Sequence, residues 1–391
     1  MVIRPPRFFN SFSLARSKNP IYHYFMSDSS SIIHSSPAPL IYVKGNHREI
    51  GQQIGEAARP QINHSIENAH KLIAMAYEQL QLNWDGAKIQ ARKYMPFCQE
   101  RYPQYVEELI GMAEGANVKY EDLAVVNGME AVTTDALHLT KCTSIAVNEQ
   151  HTATGHVLVA HNEDWLPEDE PDVYMVHASL NDEPPWLAMT YGGLLPNIGF
   201  NANGISQLCD SVYATDSRIG IPRIIVSRAV LAARTPGEAI RRTLIPLRAA
   251  GYNHLLAHES GELYNIEVTA RNFAFLYAKD GYLAHTNHFL DSKMQEFEDE
   301  PDELIATRVR YQRADRLLRM NSMHTVQTLQ SILRDHVNYP DSICNHAIED
   351  IDPLDREKTI NSLVIDLTAR QMHVAWGNPC KNGYHTYQLE A

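Results

Sequence analysis

Between residues 46 and 140 the apolar positions recur every three or four residues, the period of a helix with one buried face. The spacing predicts helices over 46–58, 62–82, 103–115 and 120–132, with Ile62, Ile66, Leu72, Met75 and Leu80 along one stripe of the second. Pro60 is expected to break or kink the chain between the first two. Gly51 and Gly55 share a helical face and predict close approach of another backbone. A short strand at 40–43 precedes this block.

From residue 143 the character changes. Short runs at 143–148, 157–160, 174–180, 186–191 and 205–208 read as strands separated by turn residues, with a turn cluster at 199–204. Helical spacing returns at 223–233 and 236–247, then strands at 253–257, 263–268, 273–278 and 282–285. The acidic stretch 291–304 lacks the glycine-centred spacing of a calcium loop and reads as a solvated loop. Helices at 305–320 and 326–335 precede a closing hairpin, 361–366 with 371–376. This order fits an α+β fold with two antiparallel sheets between helical layers, and not the strict alternation of a doubly wound parallel sheet.

Composition narrows the partners. The 391 residues carry a net charge of −13, which argues against nucleic acid or an anionic membrane surface. No apolar run reaches the roughly 18 residues of a transmembrane helix. The five cysteines contain no CxxC spacing, so reduced thiols are expected, with no disulfide framework, metal site or cofactor. Residues 1–27 hold no Asp or Glu but carry Arg4, Arg7, Arg16 and Lys18. They read either as a transit peptide or as an extension before a start at Met26. The second reading gives a disordered leader, 1–38, ahead of a single domain, 39–391, in a cytoplasmic protein. The first would allow organellar import.

Cys142 is the one cysteine with chemical context. It opens a strand at the boundary between the helical and strand-rich blocks, and His161-Asn162-Glu163-Asp164-Trp165 ends a second apolar run about twenty residues on. A free thiol, with a pKa of about 8.5, needs a base. One of the 19 histidines is one source, though none lies in a recognised local signature. The other is the cysteine's own α-amine, with a pKa of about 7.7–8.0, available if the Lys141–Cys142 bond is cut. Asp164 is then the carboxylate placed to orient the new ammonium, although Asn162 to Asp164 would equally suit a plain turn. Asn287, between His285 and His288, is a candidate amide donor to an oxyanion.

Several segments together resemble the acyl-coenzyme A:isopenicillin N acyltransferase family of N-terminal-nucleophile hydrolases, which includes β-alanyl-dopamine (carcinine) hydrolases. They are Gly45 to Gly55, Glu108 to Ala116, Cys142-Thr143-Ser144, His161 to Trp165, Gly199 to Ile205, His285 to His288 and Asn361 to Asp366. The resemblance implies a four-layer αββα sandwich, made as a precursor that cuts itself before Cys142 into a small chain, 39–141, and a large chain, 142–391, held as a heterodimer. It implies Cys142 as nucleophile, Asp164 near the new amine, Asn287 in the oxyanion hole, and an arginine best matched by Arg310, with Arg308 a close competitor. Lys141 departs from the Gly-Cys junction of the fungal penicillin enzyme. The implied activity is cleavage or transfer of the acyl group of a small N-acyl amine or amino acid through a thioester. An uncut Cys-His amidase or peptidase, and a catalytically silent binding protein of the same fold, are the alternatives.

Overall fold

The computed structural model describes residues 33–34, 36–133, 137, 141–299, 304–348 and 351–390. Most of the leader lies outside these residues. Its last part is docked: the His34 ring stacks on Trp376 at 3.8 Å and its Nε2 meets Glu170 at 2.7 Å, while Ala38 is buried in the core. The ordered domain therefore begins before residue 39.

The strands are β1 (Leu40–Gly45), β2 (Thr143–Val147), β3 (Leu158–Trp165), β4 (Val173–Leu180), β5 (Trp186–Tyr191), β6 (Ile198–Asn201), β7 (Ile205–Asp210), β8 (Tyr252–His258), β9 (Leu263–Val268), β10 (Phe273–Tyr277), β11 (Tyr282–His285), β12 (Lys358–Asp366), β13 (Gln371–Trp376) and β14 (His385–Gln388). One sheet has the order β1-β4-β5-β6-β7-β8-β9-β10 and the other β11-β2-β3-β12-β13-β14. Among the described residues, strand pairs are antiparallel with one exception, β1 beside β4. The whole helical block and the β2–β3 hairpin separate β1 from β4, which gives the long connection a parallel pair requires.

Side-chain alternation along the strands builds the layers. Met175 and Leu187 of the larger sheet face Val159, Leu363 and Ile365 of the smaller one. On the far side of the larger sheet, Tyr174, Val176 and Trp186 pack under Ile50, Ile54 and Leu109 of the helices His47–Ala57 and Pro103–Ala116. On the far side of the smaller sheet, Ile145, Leu158 and Val364 pack under Leu318 and Leu329 of the helices Ile305–Met320 and Val326–Leu333. The result is an αββα sandwich.

The break expected at Pro60 is present: His47–Ala57 ends before it, and Pro60 lies in the first turn of the next helix, Arg59–Met75, where no backbone donor is lost. Two local differences from the sequence reading remain. The predicted helix 62–82 ends at Met75, and a separate turn, Tyr77–Leu80, follows. Gly199 to Asn201 form a strand rather than a turn. A Cβ on Gly199 would lie 2.2 Å from the Leu187 carbonyl oxygen, so this glycine serves strand packing.

The expected glycine contact is reciprocal. A Cβ on Gly51 or Gly55 would lie 2.0 or 2.2 Å from backbone oxygens of Glu108 and Met112, and one on Gly111 would lie 2.1 Å from that of Arg48. Two helix backbones touch directly, and no rotamer change can relieve a methyl placed between them. Gly111→Ala is expected to cost on the order of 3 kcal/mol, read as a lowered urea midpoint at unchanged slope. No helix among the described residues is long and apolar enough to cross a membrane.

Candidate active site

Cys142 immediately precedes β2, which lies between the edge strand β11 and β3 in the smaller sheet. Thr143 pairs with Asn162 and Ser144 with His161 across the hairpin, and Ser144 also pairs with His285 of β11. Ala146 and Val159 lie between the sheets, whereas Ile145 and Ala160 face the helices. By alternation Cys142 and Ser144 share the inner face with His161 and Glu163. Thr143, Asn162 and Asp164 share the outer one.

On the inner face the Cys142 thiol lies 3.9 Å from Glu163 Oε2. That carboxylate is 2.9 Å from His161 Nε2 and accepts from the Tyr191 hydroxyl at 3.4 Å. His161 Nδ1 is 2.9 Å from Ser144 Oγ, which donates to Asp210 Oδ1 at 2.8 Å. His285 then bridges Asp210 and Glu267, at 3.5 and 2.9 Å. Burial alone would lower the His285 pKa, but the two carboxylates hold its proton up to about 9. Burial, with Glu163 and Asp210 adding repulsion, pushes the Cys142 thiol well above its ordinary range. In the uncut chain this is a protonated thiol facing a carboxylate. Cys142, His161 and Glu163 offer donor atoms within 4.8 Å of one another, a set that a metal ion also fits.

The backbone at the junction is held from elsewhere. The Cys142 N–H donates to Asn287 Oδ1 at 2.7 Å. Arg310 donates to the same oxygen at 2.8 Å, to Thr143 Oγ1 at 3.1 Å, and to the Cys142 carbonyl. Arg310 is 1% exposed, whereas Arg308 is half exposed and pairs with Glu298. Two positions along a helix turn a side chain by about 200°, so only one of the pair can reach inward. Lys141 Nζ lies 3.1 Å from Asp341 and 3.5 Å from Glu357. Burial opposes its charge, and these two carboxylates outweigh that and raise its pKa. Glu357 itself is pushed up to about 7 by burial, against the pull of Lys141 and Arg310.

The four residues named from the sequence, Cys142, Asp164, Asn287 and Arg310, thus gather around one peptide junction, with two changes of detail. Asn287 does not present its amide nitrogen to an open site. Its Nδ2 donates to the Ser211 carbonyl at 3.0 Å and its oxygen faces the Cys142 nitrogen. Asp164 points away from the thiol. Its Oδ1 accepts from Thr359 at 2.6 Å, its Oδ2 is buried without a hydrogen bond, and burial raises its pKa well above the carboxylate range despite Arg310. Glu163 and His161 are the functional candidates that sequence reasoning passed over. Their signal was the parity of β3 against β2, which appears only once the register is known.

Cys142 and Glu163 open onto a cavity between the sheets, lined also by Trp165, Tyr191, Tyr252 and Glu130. Glu130 is paired with Arg223 at 2.8 Å, and that guanidinium lies over the Tyr252 ring at 5.1 Å.

Residues 150–381 match the family described as acyl-coenzyme A:6-aminopenicillanic acid acyl-transferase. The acyl-coenzyme A:6-aminopenicillanic-acid-acyltransferase 40 kDa form of Emericella nidulans is 24% identical over 342 residues, covering 86% of this chain and 92% of that one. The β-alanyl-dopamine/carcinine hydrolase of Drosophila melanogaster is 26% identical over 236 residues, covering 55% of this chain and 59% of that one. Among solved structures, penicillin V acylase from Agrobacterium tumefaciens aligns over 60% of this chain and 83% of its own, with a TM-score of 0.42 and 14% identity. A mutant conjugated bile acid hydrolase from Clostridium perfringens aligns over 64% and 97%, with a TM-score of 0.42 and 12% identity. With a match spanning more than half its length, the chain belongs to the acyl-coenzyme A:6-aminopenicillanic acid acyl-transferase family, whose members act on amide bonds as acyltransferases or hydrolases.

Proposed function

We propose that the chain cuts itself between Lys141 and Cys142, and that the product is a cysteine amidohydrolase or acyltransferase for small N-acyl amines. The observation that carries this reading is the division of labour at one junction. The Cys142 thiol faces Glu163, while Asn287 and Arg310 hold the nitrogen and carbonyl of the same residue.

Before cleavage no α-amine exists, so the thiol needs another base. Glu163 is the carboxylate in reach, positioned by His161 and Tyr191. Its proton removal lets Sγ bond to the Lys141 carbonyl carbon. The carbon–nitrogen bond then breaks, the departing nitrogen takes a proton, and a thioester joins Lys141 to Sγ. Water cleaves that ester, leaving a Lys141 carboxylate and a free thiol. Asp341 and Glu357 fix Lys141 while its carbonyl is attacked.

After cleavage the nitrogen held by Asn287 Oδ1 is the α-amine. It takes the thiol proton during attack on substrate and returns it to the leaving amine. Asn287 then orients the base rather than the oxyanion. The fragments stay together as a heterodimer, because β1 remains paired with β4 and Ile50 and Leu109 remain packed under the larger sheet. With Glu130 paired to Arg223 and the Tyr252 ring under the same guanidinium, Glu163 and the rings of Trp165 and Tyr191 are left to receive a small acyl or amine group carrying positive charge. Similarity to the β-alanyl-dopamine/carcinine hydrolase supports a β-alanyl amine as the first substrate to try.

Intact mass and N-terminal sequencing of the purified protein test the reading. The expected result is a fragment beginning at Cys142 beside one ending at Lys141. Active protein still continuous across this bond would overturn it.

A further inference from the structure

We infer that His336, Cys344, His346 and Cys380 form a structural zinc site. Their four donor atoms lie within 4.8 Å of one another. His336 Nε2 is 3.1 Å from His346 Nε2, which is in turn 3.4 Å from Cys344 Sγ and 3.5 Å from Cys380 Sγ. A regular tetrahedron built from the usual zinc bond lengths has edges of about 3.3 Å between nitrogens and about 3.5 Å between nitrogen and sulfur. The three separations from His346 Nε2 lie within about 0.2 Å of those edges.

Hydrogen bonding accounts for the cluster poorly. One imidazole nitrogen faces three heteroatoms at once and carries at most one proton. Two ring nitrogens facing each other at 3.1 Å can share one proton in an N–H···N bond, but that proton then serves neither thiol, whereas a cation between them engages both lone pairs. A Cys344–Cys380 disulfide would leave the convergence of both imidazoles unexplained. Zinc satisfies all four, with both thiols losing their protons to solvent and two thiolates balancing the dication. The surroundings are built to hold the ligands. Asn378 Nδ2 lies 3.5 Å from Cys344 Sγ and donates to the Asn345 carbonyl at 2.7 Å, and the Cys344 N–H donates to the Asp335 carbonyl at 3.0 Å.

The site ties the segment after the helix Val326–Leu333 to the turn after β13. That segment carries Asp341, which holds Lys141, and Ile343, whose carbonyl accepts from Asn162 at 2.7 Å. Asn345 donates its N–H to Thr359 Oγ1, the same hydroxyl that bonds Asp164. Zinc therefore clamps the loop lying against the Lys141–Cys142 junction. Metal binding itself does not rest on the cleavage proposed above.

The test uses full-length Cys142→Ala protein, which removes a ligand from the other possible metal set, expressed with added zinc and purified without chelator. Elemental analysis is expected to find about one zinc per chain. His336→Gln and Cys380→Ser, made in that background, should each lose at least nine-tenths of it, and removal of zinc from the parent should lower its Tm. Absence of zinc from natively folded parent protein, occupancy unchanged in both variants, or a native Cys344–Cys380 disulfide in non-reducing mass spectrometry would each overturn the inference.

Discussion

Cys142→Ala is expected to give one uncut chain with amide hydrolysis reduced at least ~10⁴-fold, as removal of a covalent nucleophile commonly does. The substitution deletes the attacking sulfur twice, once for the chain's own bond and once for substrate. The fold should survive it. Cys142 is 2% exposed beside β2, where alanine leaves only a small void, and its backbone bonds to Asn287 and Arg310 do not involve the side chain. Cys142→Ser gives the more informative comparison. It keeps a hydroxyl at the same place, so slow self-cleavage with weak turnover is expected, because a hydroxyl is a poorer nucleophile than a thiol. Gel mobility and hydrolysis of a β-alanyl amine, followed together over time, check both variants. Full turnover in Cys142→Ala would end the proposal.

How much of this was legible in the sequence depended on the range of the information needed. The helical block, the strand-rich remainder and the Gly51/Gly55 contact follow from local periodicity and residue size, and they stand in the structure. Cys142, Asn287 and Arg310 could be named from the sequence, but which way each points could not. Arg310 wins over Arg308 through helix phase relative to the sheet, which is fixed by packing at Ala314 and Leu318. Asp164 is drawn from the sequence by its place closing the second apolar run and by the family resemblance, neither of which assigns it a face. A one-residue slip between β2 and β3 exchanges faces, and the sequence does not state the register. With Thr143 opposite Asn162, the residues sharing a face with Cys142 are His161 and Glu163. The four-residue zinc cluster was invisible for a related reason. His336, Cys344 and His346 lie in one irregular segment and Cys380 follows a distant hairpin, so no short spacing announces them. The edge strand β1 is parallel because of where the chain re-enters the sheet, a matter of topology rather than of its own residues.

Glu163→Gln should slow self-cleavage by about 10²–10³-fold, the usual loss when a positioned general base is removed. Glutamine keeps the size of the side chain and an oxygen facing His161 or Tyr191, so packing changes little, but it cannot accept the thiol proton. Turnover by molecules already cut should fall far less, because there the α-amine of Cys142 has taken over as base. This asymmetry distinguishes Glu163 as the base of the precursor from two simpler roles. If Glu163 only supported the His161–Ser144–Asp210 chain, both steps would fall together, with a loss of Tm. If it only contacted substrate, cleavage would keep its rate while KM rose. The measurement is the rate at which the new Cys142 terminus appears, beside kcat and KM of the cut fraction isolated after long incubation. The wild-type thiol, raised well above its ordinary pKa by burial and neighbouring carboxylates, cannot ionise appreciably at neutral pH without a partner to take the proton. Among the described residues, Glu163 is the ionisable side chain hydrogen-bonded to it. Cleavage of Glu163→Gln at the wild-type rate would exclude that partner and leave the first step to a base supplied by solvent.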